Sequence, residues 1–223
     1  MFEYVKKHKL ISVLALGAAL VGGWRCCKIY CSALQGVDVQ FAAVQGQKTK
    51  ITTKRLILVQ SDEDDRELLI QIFQNPEIMR TLSRVERFSD KEFELILHNW
   101  TKSVGSANPF GGYLAYEKAS DSFIGFVALE YITGTRPDRA NISYAVLKEF
   151  RGKGYGFEMA SAIMNHMLPQ ALGKGMKLPN GVAIRAITGN MVQQNLASKK
   201  ILEKLGFEFL HDTESHRYVY HVK

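Results

Sequence analysis

The 223-residue sequence predicts a domain of mixed α/β class behind a short hydrophobic N-terminal segment. Three observations carry that expectation. Apolar runs of strand length alternate with amphipathic runs of helical period over residues 51–223. One apolar run, 142–147, enters the turn Phe150-Arg151-Gly152-Lys153-Gly154-Tyr155-Gly156, and an amphipathic run, 157–172, leaves it. The three cysteines, Cys26, Cys27 and Cys31, all lie near the N-terminus, so no disulfide framework holds the body together.

Residues 1–9 are basic through Lys6, Lys7 and Lys9, and residues 10–24 are uncharged and almost wholly apolar. At ~1.5 Å per residue this run is short for the ~30 Å hydrocarbon slab and suits the apolar region of a signal peptide. Ile29, Tyr30, Ala33 and Leu34 extend it if Arg25 and Lys28 reach back to the head groups. Residues 1–34 therefore read as an anchor or signal-like segment, and residues 10–34 as the part that meets a membrane. An uncleaved anchor leaves the following domain in the cytosol. Cleavage at Cys31-Ser32-Ala33 makes the protein secreted. Residues 35–50 show no clear period and read as a linker.

The domain, 51–223, opens with a strand at 54–59. Ser61 and the acidic run Asp62, Glu63, Asp64, Asp65 suit a helix start, and Asn75-Pro76 stops that helix. Ser89-Asp90-Lys91-Glu92 starts a second helix, to about residue 102, with Phe93, Ile96, Leu97 and Trp100 on one face. Residues 113–117 and 123–131 form a hairpin, and the strand ending at Leu147 follows. Beyond the glycine turn, Met159, Ile163, Met164 and Met167 make an apolar stripe, read as core. A strand at 182–187, a helix at 195–205 ended by Gly206, and strands at 207–209 and 218–222 complete the chain.

The net charge of +7 suits anionic partners. The basic residues are scattered, with no run of five, so nucleic-acid binding is not expected. His8 is the one histidine near the cysteines, and no metal is expected.

Strand, glycine turn and helix together can hold a phosphate, because turn N–H groups and the helix dipole face the anion. The spacing is neither G-x-x-x-x-G-K-[ST] nor G-x-G-x-x-G. What remains is Arg-x-x-Gly-x-Gly, in Arg151, Gly154 and Gly156. This resembles the acetyl-coenzyme A loop of the Gcn5-related N-acetyltransferase (GNAT) family. Asn195-x-x-Ser198 at a helix start and Leu205-Gly206-Phe207 at its end match the same family in the same order. Thr53, Arg55, Leu56 and Leu58 resemble the opening strand of its ribosomal-protein acetyltransferase branch. The resemblance runs from about residue 50 to the C-terminus.

The resemblance implies a mixed, mostly antiparallel sheet flanked by helices, with splayed central strands at 142–147 and 182–187. It implies acetyl-coenzyme A as donor and a primary amine on a protein N-terminus, a lysine or a small molecule as acceptor. Arg151, Gly152, Lys153, Gly154, Tyr155, Gly156 and Asn195 map to the coenzyme site. The backbone of Val146 and Leu147 maps to the groups that hold thioester and pantetheine. Ser198 maps to a general acid for the departing thiolate, and Asn195 and Ser198 are also good helix-start residues. The branch commonly carries a glutamate where this chain has Asn141, which leaves Glu130, on the preceding strand, as candidate base. The stretch between Ile187 and Asn195 reads as longer than in relatives. Asn141 also keeps open a second reading, a catalytically degenerate module that binds coenzyme A or a protein.

Overall fold

The computed structural model describes residues 36–82, 89–105, 107–131, 136–210 and 216–222. The hydrophobic segment 10–34, read as the membrane element, lies outside the described residues. No helix among the described residues is long and apolar enough to cross a membrane.

The strands are β1 (Asp38–Gln40), β2 (Lys50–Thr52), β3 (Leu56–Gln60), β4 (Gly111–Glu117), β5 (Phe123–Glu130), β6 (Arg139–Val146), β7 (Ala186–Met191), β8 (Glu208–Leu210) and β9 (His216–His221). They form one sheet in the order β1-β2-β3-β4-β5-β6-β7-β9-β8. All neighbours are antiparallel except β6 and β7, which run parallel. The mixed, mostly antiparallel sheet expected from the sequence is therefore present.

Helices cover both faces. On one side α1 (Arg66–Gln74), α2 (Pro76–Thr81) and α3 (Asp90–Gly105) bury Leu69, Ile72, Phe73 and Trp100 against Leu114, Phe126 and Ala145 of the sheet. On the other, α4 (Tyr155–Ser161) and α5 (Leu168–Gly173), with α6 (Leu196–Lys204), pack on Leu58, Val127 and Ile187. The methionine stripe is core: Met159, Ile163 and Met167 are fully buried. Between α4 and α5 the helix widens to π geometry over Ala162–Met167. Pro169, in the first turn of α5, has no N–H to donate, and such a break favours a local bulge.

Three readings are corrected. The stretch 35–50 is not simply a linker: it contains β1 and the start of β2, and Lys48 bridges Asp62 and Asp65 at 2.8 and 2.9 Å. Asn75-Pro76 ends α1 but also begins α2, because Asn75 Oδ1 accepts the N–H groups of Glu77 and Ile78 and Pro76 fits the first turn. The strand expected at 182–187 lies at Ala186–Met191, so the connection to Asn195 is short. Gly189 interrupts the apolar pattern there, but it is a packing residue: a Cβ at that position would lie 2.8 Å from Leu202 Cδ2 of α6.

A similar close approach sets α3 on the sheet. A Cβ on Gly112 of β4 would lie 2.0 Å from the Trp100 ring. Gly112→Ala is expected to lower stability by about 1–3 kcal/mol through overpacking, measured by chemical denaturation.

Candidate active site

The parallel register of β6 and β7 ends at Asn141 and Thr188. Beyond it both strands continue, β6 to Val146 and β7 to Met191, without pairing to each other. At the point of splay the Thr188 hydroxyl lies 3.3 Å from both Ala140 O and Asn141 Oδ1. A cleft of about 800 Å³ occupies the gap and is lined from both faces of the sheet, by α3 on one and by α4 and α6 on the other.

The antiparallel alternation aims the backbone of β6. Leu147 N–H donates to Ile124 O at 2.9 Å, across the pair Gly125 and Val146. Val146 and Tyr144 therefore turn their N–H and C=O groups away from β5, toward the side that β7 has vacated. These are the groups an extended amide-bearing chain can pair with. Leu147 differs from its expected role. Its N–H is spent on Ile124, and its side chain packs with the α1–α3 core.

The glycine turn closes one end of the cleft. Gly152 and Gly154 take φ of +76° and +83°, a region that disfavours side chains. Gly154 is the residue before the first turn of α4, and Gly156 lets α4 approach Ile201, 3.2 Å from where a Cβ would sit. Arg151 Nε donates to Val146 O at 2.9 Å, tying the turn to the end of β6.

A second tie comes from the start of β3. Glu158, one turn into α4, accepts from Thr53 Oγ1 at 2.6 Å, from Arg55 N at 3.0 Å and from Arg55 Nε at 2.7 Å. Arg55 Nη1 also donates to Lys153 O at 2.9 Å, and its guanidinium lies 4.3 Å from the centre of the Tyr155 ring. The Tyr155 hydroxyl donates to Glu117. Desolvation alone pushes the Glu158 carboxyl upward, but the bonds from Thr53 and Arg55 outweigh it and hold the group below its ordinary value.

Side chains that can move protons lie on both walls. Asn195 Oδ1 accepts Ser198 N–H at 3.1 Å, so Asn195 caps α6. The cap leaves the Ser198 hydroxyl toward β6, 2.9 Å from the Tyr144 hydroxyl. Burial pushes the Tyr144 phenol up to about 12, only partly offset by Ser198, so it stays protonated at neutral pH. On the α3 side, Glu130 pairs in register with Asn141. Trp100 Nε1 donates to Glu130 Oε2 at 2.6 Å. Burial raises the Glu130 carboxyl above its usual range, against the opposing bond from Trp100.

Of the residues singled out in the sequence, Glu130, Val146, Arg151, Gly152, Gly154, Tyr155, Gly156, Asn195 and Ser198 border this one cleft. Leu147 and Lys153 do not; Lys153 lies over the Phe150 ring at 5.2 Å and offers the turn its carbonyl. Sequence reasoning missed Tyr144, Trp100 and the Glu158 clamp. A signal for the clamp existed, since Thr53 and Arg55 already carried part of the family pattern.

A family model described as an acetyltransferase (GNAT) domain matches residues 55–208. The chain belongs to this family. A curated relative from Aspergillus fumigatus, FsC-acetyl coenzyme A-N(2)-transacetylase, is 23% identical over 170 residues, covering 73% of this chain and 66% of its own. The chain thus spans about two thirds of that relative's length. The ribosomal-protein-S5-alanine acetyltransferase of Vibrio fischeri shares the GNAT fold at TM-score 0.56 and 13% identity, covering 77% of this chain and 96% of that one. The spermidine N-acetyltransferase of Vibrio cholerae, in complex with coenzyme A and spermine, does so at TM-score 0.55 and 16% identity, covering 74% and 95%.

Glu158 has a lowered folded pKa, so its contribution to stability is present above the ordinary carboxylate range and is lost as pH falls through the folded value. Glu158→Gln is expected to lower the melting temperature at pH 7. The gap between parent and variant should close on acidification below about pH 4, followed by thermal melts across pH.

Proposed function

We propose that this GNAT domain is an acetyl-coenzyme A-dependent N-acetyltransferase acting on a primary amine. The observation that carries the reading is one cleft at the splayed strands, with the glycine turn at one end and proton-handling groups on both walls. The names of the relatives, an N(2)-transacetylase and a spermidine N-acetyltransferase crystallised with coenzyme A, support the donor and the kind of acceptor.

When bound, acetyl-coenzyme A supplies an activated acetyl thioester. The turn from Arg151 to Gly156 faces the pyrophosphate with backbone N–H groups and a guanidinium. The outward backbone of Tyr144 and the N–H of Val146 would pair with the pantetheine amides as a missing strand would, the Val146 carbonyl being held by Arg151 Nε. Glu130 takes a proton from the amine, and its raised pKa brings it closer to the working pH of a base. Ser198 gives a proton to the departing sulfur and is resupplied through Tyr144. The N–C bond forms as the C–S bond breaks, with one proton lost from nitrogen and one gained by sulfur. Asn141 cannot accept a proton, but as the register partner of Glu130 it places the carboxylate one strand away.

Gly154→Val is expected to abolish coenzyme A binding, measured by calorimetry, while the domain stays folded by circular dichroism. Ser198→Ala should lower kcat about tenfold to a hundredfold with little change in acetyl-coenzyme A affinity. Glu130→Gln should remove the acidic limb of the pH–rate profile. In the parent that limb should sit above the ordinary carboxylate range. Coenzyme A binding by the parent with no amine consumed at any pH would favour the binding-module reading that Asn141 raises.

We further propose that residues 10–34 hold the chain on a membrane with the domain on the cytosolic side, where acetyl-coenzyme A is made. The apolar run and the flanking Arg25 and Lys28 support this. The full-length chain should sediment with membranes and resist carbonate extraction. Protease added outside intact cells should leave the domain uncut, and a mature form beginning near Leu34 outside the cytosol would refute the tether.

A further inference from the structure

The two ends of the cleft differ in chemistry. The end bordered by the glycine turn and α6 carries Arg151, Asn195 and Ser198. The end beneath α3 is walled by Phe73, Leu82, Leu95, Ile96, Phe126 and Tyr131. The Phe73 and Phe126 rings meet tilted at 5.5 Å and both meet Trp100 at 5.8 Å, so this wall is a continuous aromatic and aliphatic surface. Leu95 stands at its rim with 51% of its surface exposed.

Charge is scarce at this end. Among the described lining residues its carboxylates are Glu92 and Glu130, and it has no basic side chain. Glu92 Oε2 accepts both the N–H and the hydroxyl of Ser89, at 2.9 and 2.8 Å, in a capping arrangement at the start of α3. Glu130 is left as the carboxylate at the inner end. The other polar groups gather behind it. Asn99, Glu130 and Tyr131 also border a second cavity of about 140 Å³, completed by Ser103 and Asn180 among others. Glu130 thus borders this smaller cavity as well as the main cleft.

We propose that the acceptor is a primary amine on an uncharged apolar body, an alkylamine or arylalkylamine, with its nitrogen at Glu130 and its hydrocarbon along the Leu82, Leu95 and Ile96 wall. This deepens the acetyltransferase reading and rests on it. The apolar wall favours hydrocarbon by removing its surface from water. Among the described residues the wall offers a substrate carboxylate no cation, and a second ammonium only Glu92 at the rim, whose Oε2 already holds Ser89. The wall also serves the chemistry. Desolvation lowers the pKa of an entering ammonium and raises that of a carboxylate, so proton transfer from nitrogen to Glu130 is brought toward balance before the nitrogen attacks.

The test compares phenethylamine, hexylamine, spermidine and an acidic peptide with a free N-terminus, by thiol release from acetyl-coenzyme A on the full chain. Phenethylamine and hexylamine should exceed spermidine and the peptide in kcat/KM by about 100-fold. Leu95→Asp, at an exposed position, should lower kcat/KM for phenethylamine about tenfold, chiefly through KM, with the Kd for coenzyme A unchanged. A preference for spermidine or the peptide overturns the acceptor assignment and leaves the enzyme reading intact. Coenzyme A binding with no thiol release for any of the four amines overturns both.

Discussion

The carboxylate of Glu158 is the constraint on which the coenzyme end of the cleft depends. It joins the mouth of β3 to the first turn of α4, segments about a hundred residues apart in sequence. Arg55, held by that carboxylate, reaches on to the carbonyl of Lys153 and covers Tyr155. A glycine turn by itself has too much conformational freedom to present its N–H groups in one geometry. Here the freedom is removed from outside, by a half-buried acid and an arginine whose planar fork suits simultaneous bonds to a carboxylate and a carbonyl. Arg151 supplies the second fastening, to the last carbonyl of β6.

The sheet supplies the rest by failing to pair. Where β6 and β7 part, residues 142–146 of β6 keep their extended backbone but lose a neighbour on one side, and the gap they face is the cleft. Because the gap passes through the sheet, groups from opposite faces meet across it. Ser198 and Tyr144 come from the α6 side, and Glu130 with Trp100 from the α3 side. A donor and an acceptor that enter from different faces need no moving part to be kept apart before they react.

Much of this was legible in the residues. Arg151, Gly154 and Gly156 marked the turn, and the positive φ at Gly154 shows why a glycine stands there. Asn195 and Ser198 marked the start of α6, where Asn195 caps the helix and the Ser198 hydroxyl meets that of Tyr144. Other features were hidden for physical reasons. The strands β1 and β2 are three residues each and owe their existence to β3, a partner no local pattern announces. Thr188, Gly189 and Asn190 carry turn chemistry, yet Gly189 sits in a strand because Leu202 presses on it. Leu147 was misassigned because the direction of a backbone amide depends on register, and register is a property of two strands. Tyr144 looks like any strand-forming aromatic until Ser198, distant in sequence, is brought to its hydroxyl.

The register pair of Glu130 and Asn141 bears on how such proteins diverge. Two side chains opposite each other on neighbouring strands project from the same face and reach overlapping volumes. A sheet therefore offers two interchangeable addresses for one functional group. A lineage can vacate one address after filling the other, passing through an intermediate that carries both, without moving the backbone. Surveys that score a single alignment column would count the result as a lost residue, whereas a comparison of occupied volumes would count it as a transfer.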